Sequence, residues 1–228
     1  MSIPFEHIAS FPLLTTLSED DGAALAVQLV PLAASRGERI FTEGDTGDAV
    51  YLVLNGKIKI SREAGDGREN LLMVMGPGDM FGELSLFDPG PRTATASAVV
   101  DTQMASLTHA GLQSWIEERP GGAMVVLQVL ARRLRNTNDA LSDLVFTDVP
   151  GRVAKALLGM AEKFGQPRDD GALTLQHGLT QEELAQLVGA SRETVNKALA
   201  DFATRGWLRL ESRGVVILDQ DRLEHRAR

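Results

Sequence analysis

The chain has 228 residues, is 43% hydrophobic, contains no cysteine, and carries 23 Lys/Arg against 31 Asp/Glu for a formal net charge of −8. That length and apolar content can bury one or two ordinary cores, and two domains are expected. The absence of cysteine excludes disulfides and thiolate-held zinc or iron–sulfur centres, and the sequence has neither an apolar run near the ~18 residues of a membrane helix nor a charged start leading into a signal segment, so the cytoplasm is the expected compartment.

The first predicted element is a helix over Ser18 to Leu32. From Arg39 to Leu107 the pattern changes to short apolar runs such as Val50-Tyr51-Leu52-Val53-Leu54. Turn signals separate them: Gly44-Asp45-Thr46-Gly47-Asp48, Asn55-Gly56, Ala64-Gly65-Asp66-Gly67 and Gly76-Pro77-Gly78-Asp79. Short strands with this punctuation predict an antiparallel jelly-roll barrel and an α+β chain. The acids Glu43, Asp45 and Asp48 read as turn chemistry, not as a catalytic carboxylate pair.

Inside this region lies Gly82-Glu83-Leu84-Ser85-Leu86-Phe87-Asp88-Pro89-Gly90-Pro91-Arg92-Thr93-Ala94. Gly82 lets backbone approach a ligand, and Glu83, Leu84 and Ser85 read as the first turn of a short helix whose free N–H groups favour an anion. Arg92 offers a planar, permanently charged fork for two phosphate oxygens, and Thr93 a further hydroxyl. An ionised Glu83 can only accept hydrogen bonds, which suits a sugar hydroxyl.

A long helix follows from Pro120 to Phe146. Leu127, Ala131, Leu134, Asn138, Leu141 and Val145 recur at alternating four and three spacing, a coiled-coil seam with one polar member. Phe146 to Gly151 is the expected hinge: Asp148 can cap the next helix and Pro150 fits its first turn.

In the last third, Thr180-Gln181-Glu182-Glu183 fits a capping box. Leu184, Leu187 and Val188 supply an apolar face, Gly189-Ala190 a turn, and Ser191 the cap of a second helix that points Val195, Leu199 and Phe202 inward. Glu193, Lys197, Ala200 and Thr204 then share the free face, with Arg192 at its start. This is a helix-turn-helix, whose second helix reads base edges from its N-terminal end. Thr180, Gln181, Ser191, Arg192, Glu193, Thr194 and Lys197 form the candidate DNA-binding set. Trp207 to Leu210 and Val215 to Leu218, split by Glu211-Ser212-Arg213-Gly214, read as a hairpin wing, with Arg209 and Arg213 as candidate backbone contacts. The charged tail Arg222 to Arg228 is expected to fray.

The charge divides along the same lines. Residues 1–146 hold 11 Lys/Arg and 19 Asp/Glu, whereas 147–228 hold 12 of each, and Arg192 to Arg213 is locally basic with five cations against three acids. The histidines, His7, His109, His177 and His225, are scattered without ligand spacing and are read as surface residues, so no metal is expected.

The string from Gly82 to Ala94 resembles the phosphate-binding cassette of cyclic-nucleotide-binding domains. From about residue 10 to 218 the chain is similar to the cyclic AMP receptor protein family of bacterial regulators, closest to its actinobacterial branch. Three blocks carry the resemblance: Gly65 to Ala96, Asp148-Val149-Pro150-Gly151-Arg152, and Leu187 to Lys197. It implies cyclic AMP in the pocket, a homodimer, and palindromic promoter DNA bound as activator or repressor, with RNA polymerase as a partner. It also implies that Thr137 and Asn138 contact the adenine, one from each subunit; many relatives carry serine at the positions of Asn138 and Thr93.

Together these readings predict a sensor domain over residues 1–119, a dimerisation helix and hinge over 120–147, and a winged helix-turn-helix over 148–228. Two alternatives keep part of this: a constitutive DNA binder or one answering another small molecule, and a cyclic-nucleotide module regulating a partner enzyme. The intact reading helix argues against the latter, and no catalytic constellation is present.

Overall fold

The computed structural model describes residues 3, 5, 8, 9, 11, 14, 15, 17–63, 65, 69–88 and 90–227, the side chains of Ser85 and Leu86 excepted. His7, Ala64, Asp66, Gly67, Pro89 and Arg228, and the hydroxyl of Ser85, thus lie outside the described residues. Two compact units form: Met1–Glu69 with Met73–Asn136, and Asn70–Leu72 with Thr137–Arg228.

The first unit opens with α1 (Glu19–Gln28), whose cap Ser18 accepts a hydrogen bond from Asp21 N–H at 3.1 Å. The helix ends before the expected Leu32. Val30–Ala34 is instead a strand, β1, at a sheet edge, where Pro31 can sit without depriving a neighbour of a donor. There follow β2 (Arg39–Phe41), β3 (Ala49–Asn55), β4 (Ile58–Glu63), β5 (Glu69–Met75), β6 (Met80–Phe81), the short α2 (Leu84–Phe87), β7 (Thr95–Ala98) and β8 (Thr102–Thr108). They form two four-stranded sheets, ordered β1-β8-β3-β6 and β2-β7-β4-β5, with antiparallel ladders such as Val50↔Leu107 and Ile60↔Ala96. This is the expected jelly-roll arrangement.

Val53, Ile58, Phe81, Ala96 and Met104 make one core cluster, and Val50, Leu52, Leu107, Leu112 and Trp115 another. The second includes a helix that sequence periodicity did not indicate, α3 (His109–Glu118), capped by Thr108. It is ten residues long and buries only Leu112 and Trp115, too few apolar positions to define a period. The Trp115 indole N–H donates to the Asp21 carbonyl at 3.0 Å.

The long helix α4 (Gly121–Phe146) has 26 residues, about 39 Å of helix. Leu127, Leu134, Leu141 and Val145 are all exposed along it.

In the second unit α5 (Val149–Phe164) starts at the expected cap, Asp148, which accepts from Gly151 N–H at 3.0 Å. β9 (Gly165–Pro167) and β10 (Leu173–Leu175) come next, then α6 (Gln181–Leu187) and α7 (Arg192–Thr204), and finally the hairpin β11 (Leu208–Glu211) and β12 (Gly214–Ile217). The hairpin is the expected wing, but it belongs to a four-stranded sheet ordered β11-β12-β10-β9. Trp207 stacks on Phe202 of α7, ring centroids 5.4 Å apart.

The tail does not fray. Gln220–Arg226 is a helix, α8, capped by Asp219, with Leu223 fully buried and Arg226 donating to Asp148 at 2.5 Å. Reading the tail by its charge overlooked the single leucine that anchors it. His177 is also a correction to the surface reading: it is buried, and its Nδ1 accepts from Leu179 N–H at 3.1 Å.

Candidate ligand pocket and DNA-reading surface

The pocket of the first unit is lined by Phe41, Ile60, Phe81, Gly82, Glu83, Leu84, Arg92, Thr93, Ala94 and Arg133, and holds about 330 Å³ counted out to its open mouth. Gly82 has φ +80°, a left-handed backbone, and a Cβ there would stand 2.8 Å from Arg92 Nη1. Glycine therefore lets the arginine lie flat against the chain. Arg92 Nη1 donates to the Gly82 carbonyl at 2.7 Å and Nη2 to the Ala49 carbonyl at 2.8 Å, while the guanidinium lies 4.3 Å from the centroid of the Phe41 ring. Two anchors and an aromatic face fix the fork before any ligand arrives.

Glu83 is the N-cap residue of α2, one position earlier than the first-turn reading, and it makes no side-chain cap bond. Its carboxylate is buried, 1% exposed, and turned to Arg133 of α4, whose Nη1 donates to Oε2 at 2.5 Å. The other oxygen, Oε1, is buried with no hydrogen-bond partner among the described residues. A buried carboxylate oxygen is a strong acceptor and costly to leave unmatched, so this atom calls for an O–H or N–H donor from a ligand. The residues present thus fit a sugar phosphate: a fixed guanidinium for the anion and an open acceptor for a hydroxyl.

Arg133 was not singled out in the sequence, although it stands one helical turn before Thr137 and so shares its face. Of the expected ligand set, Gly82, Glu83, Leu84, Arg92 and Thr93 converge on this pocket. Thr137 and Asn138 are exposed on α4 and are not among its lining residues.

On the second unit the capping box forms as expected: Thr180 Oγ1 accepts from Glu183 N–H at 3.1 Å, and the Glu183 carboxylate accepts from Thr180 N–H at 2.8 Å. Ser191 caps α7 through Thr194 N–H at 3.2 Å. Val195, Leu199 and Phe202 are buried, and Arg192, Glu193, Thr194, Lys197, Ala200 and Thr204 face water. Lys197 Nζ donates to Glu193 Oε1 at 2.7 Å, one turn apart, and Arg192 has no partner among the described residues.

The turn between these helices is clamped from the hinge. Arg152 Nε donates to the Val188 carbonyl at 2.8 Å, Nη2 to the Gly189 carbonyl at 3.2 Å, and Nη1 to the Thr147 carbonyl at 2.6 Å. Gly189 is left-handed at φ +63°, the backbone that favours glycine in this turn, and a Cβ there would lie 2.8 Å from the Leu144 Cδ2 methyl, which would have to shift. Lys155 bonds Asp143 at 2.7 Å across the same junction. Arg152 joined the hinge block in sequence, but its reach to residues 36 and 37 positions away has no local signal.

Among the described residues, no group of three or more His, Asp or Glu side chains could hold a metal, and no helix is long and apolar enough to cross a membrane.

Two families match the chain: the cyclic nucleotide-binding domain over residues 32–119 and the Crp-like helix-turn-helix domain over 151–226. A curated relative from Mycobacterium tuberculosis, described as a CRP-like cAMP-activated global transcriptional regulator, is 59% identical over 206 residues, covering 90% of this chain and 92% of its own. The cyclic AMP receptor protein of Thermus thermophilus is 38% identical over 189 residues, covering 83% and 84%. Among solved structures, the Thermus thermophilus catabolite activator protein is 36% identical with a TM-score of 0.53, covering 95% of this chain and 98% of its own. A CRP/FNR-family regulator from the same organism is 27% identical with a TM-score of 0.74, covering 87% and 98%.

Proposed function

Because this chain belongs to the cyclic AMP receptor protein family, we propose that it is a homodimeric transcription regulator, not an enzyme, whose hold on palindromic promoter DNA is set by cyclic AMP. The observation that carries this reading is the charge of the pocket. Arg92 and Arg133 against Glu83 leave one net positive charge beside a buried, unmatched carboxylate oxygen. A cyclic phosphodiester brings one negative charge, and the ribose beside it brings a hydroxyl; a phosphate monoester would bring a second charge with nothing to meet it.

In this reading Arg92, Thr93 and the backbone at Leu84 and Ser85 hold the phosphate, and Glu83, steadied by Arg133, accepts from the ribose. Thr137 and Asn138 meet the adenine, one from each subunit. The exposed apolar positions Leu127, Leu134 and Leu141 support a dimer seam along α4, and Leu134→Asp is expected to give monomers by sedimentation that bind operator poorly. The DNA is read by Arg192, Glu193 and Lys197 in the major groove, with Thr180, Gln181, Ser191 and Thr194 on phosphates. Such a regulator works in the cytoplasm beside the DNA, and RNA polymerase is the partner it would recruit or occlude.

Ligand and DNA are then linked, and linkage is reciprocal. Cyclic AMP affinity measured with and without a palindromic operator should change by the same factor as operator affinity with and without cyclic AMP, typically about 5- to 150-fold. Asn138→Ala should shrink that factor more than it weakens operator binding to the ligand-free protein. A factor of one would mean that the pocket does not gate the DNA.

A further inference from the structure

Among the described residues, Arg213 is the one residue other than glycine with a left-handed backbone, at φ +55°. It stands at the tip of the wing: Ser212 and Arg213 are the two residues that link β11 to β12 beyond the pair Glu211↔Gly214. An L-residue with a long side chain adopts this conformation at a cost that glycine or asparagine escapes. The strain is held in place from outside the hairpin, because the Arg213 carbonyl accepts from Gly178 N–H at 2.9 Å, two residues before the cap of α6. The tip is thereby pinned to the start of the helix-turn-helix.

The Arg213 side chain is exposed, and no described residue hydrogen-bonds or ion-pairs with it. The acid nearest in sequence, Glu211, is engaged by Gln176 at 3.0 Å and Arg209 at 3.4 Å. Ser212 and Gly214 flank it, so the arginine is the sole large side chain at the tip. A strained backbone that presents a lone guanidinium from a slim loop is costly for folding and needs a use outside the chain.

We propose that Arg213 enters the DNA minor groove flanking each half-site and reads its width. This rests on the reading of the second unit as a DNA binder. When α7 sits in the major groove, the start of α6 meets the phosphate ridge at its edge, and the groove beyond that ridge is the minor one. The minor groove is roughly 6 Å wide, which admits one side chain from a slim tip. A·T-rich tracts narrow it further and deepen its negative potential, which draws arginine in.

The test uses the full-length protein with saturating cyclic AMP and operators that share the half-sites selected by the wild type but differ in their flanks, A-tract or G·C. Wild type should favour the A-tract flanks by roughly tenfold, as for a base-step discrimination of ordinary size. Arg213→Gly should abolish the preference while melting at the same temperature as wild type or a few degrees higher, since glycine relieves the left-handed strain. Arg213→Lys should keep most of the overall affinity and its salt slope but lose most of the preference. Equal weakening on both flanks would reduce Arg213 to a phosphate contact and overturn the proposal, as would an unchanged preference in Arg213→Gly. Wild type that binds neither operator would overturn the DNA-binding reading beneath it.

Discussion

In the pocket Glu83 and Arg92 are 1% and 4% exposed, each tied to a partner from a distant part of the chain, whereas on the reading helix Glu193 and Lys197 keep 78% and 75% of their side-chain surface in water and, among the described residues, are tied only to each other. The same chemical groups serve two purposes. Buried charges pay their desolvation on folding and are thereafter fixed in direction, which suits recognition of one small anion. Exposed charges cost the fold almost nothing, so an i,i+4 pair worth about 0.3–0.5 kcal/mol can be given up for a base edge. Substitutions should accordingly damage stability and binding together in the first region, and binding alone in the second.

The largest effect is expected from Arg92→Ala. Cyclic AMP affinity should fall by about 2–4 kcal/mol by titration calorimetry. The first unit should also melt earlier, because the Ala49 and Gly82 carbonyls lose their donor at about 1–3 kcal/mol. Lost affinity with unchanged melting would break the comparison.

Next is Glu193→Ala, which should cost about 1–3 kcal/mol on the preferred operator and relax one position of each half-site in a binding-site selection. Its melting should shift by no more than the ~0.5 kcal/mol of the pair with Lys197. A large melting shift would show that the reading helix depends on its charges after all.

The smallest effect sharpens an intermediate case, the ion pair between Arg226 and Asp148. The hydrogen bond from Arg226, with smaller help from Gly151 N–H and Arg152, holds the Asp148 carboxyl below the ordinary aspartate range against a modest opposing effect of burial. A lowered folded-state pKa means that the stabilisation is present above the unfolded value and is lost as pH falls through the folded one. Asp148 is 62% exposed, so screening limits the contribution to at most about 1 kcal/mol. Melting curves from pH 7 to pH 3 should therefore show Arg226→Ala slightly less stable at neutrality and converging with wild type in acid.

What was legible in the sequence is what is local. The capping box Thr180 to Glu183, the Ser191 cap, the Asp148 cap and the turn at Gly189 are decided by residues three or four apart, and each formed as expected. The jelly-roll followed from its turn punctuation. Arg133 meeting Glu83 across 50 residues, Arg152 clamping the turn, and Arg226 closing on Asp148 across 78 residues had no local cue. Nor did β9 and β10, three residues each, which exist because the wing needs a sheet to lean on. Three expectations fail for related reasons: the charges of the tail mask the buried Leu223, the histidine spacing says nothing of the burial of His177, and the helical spacing through Leu32 runs on into the edge strand Val30–Ala34.

The two tryptophans fall one to each unit, and that has an optical consequence. Trp115 is 3% exposed in an apolar cluster and should emit in the blue, shielded from acrylamide, whereas Trp207, half-buried with the Arg205 guanidinium 5.4 Å from its ring, should emit further to the red and quench readily. Wild-type fluorescence therefore superimposes two chromophores. Trp115→Phe and Trp207→Phe separate them into one native reporter for the sensor half and another, stacked directly on α7, for the reading half.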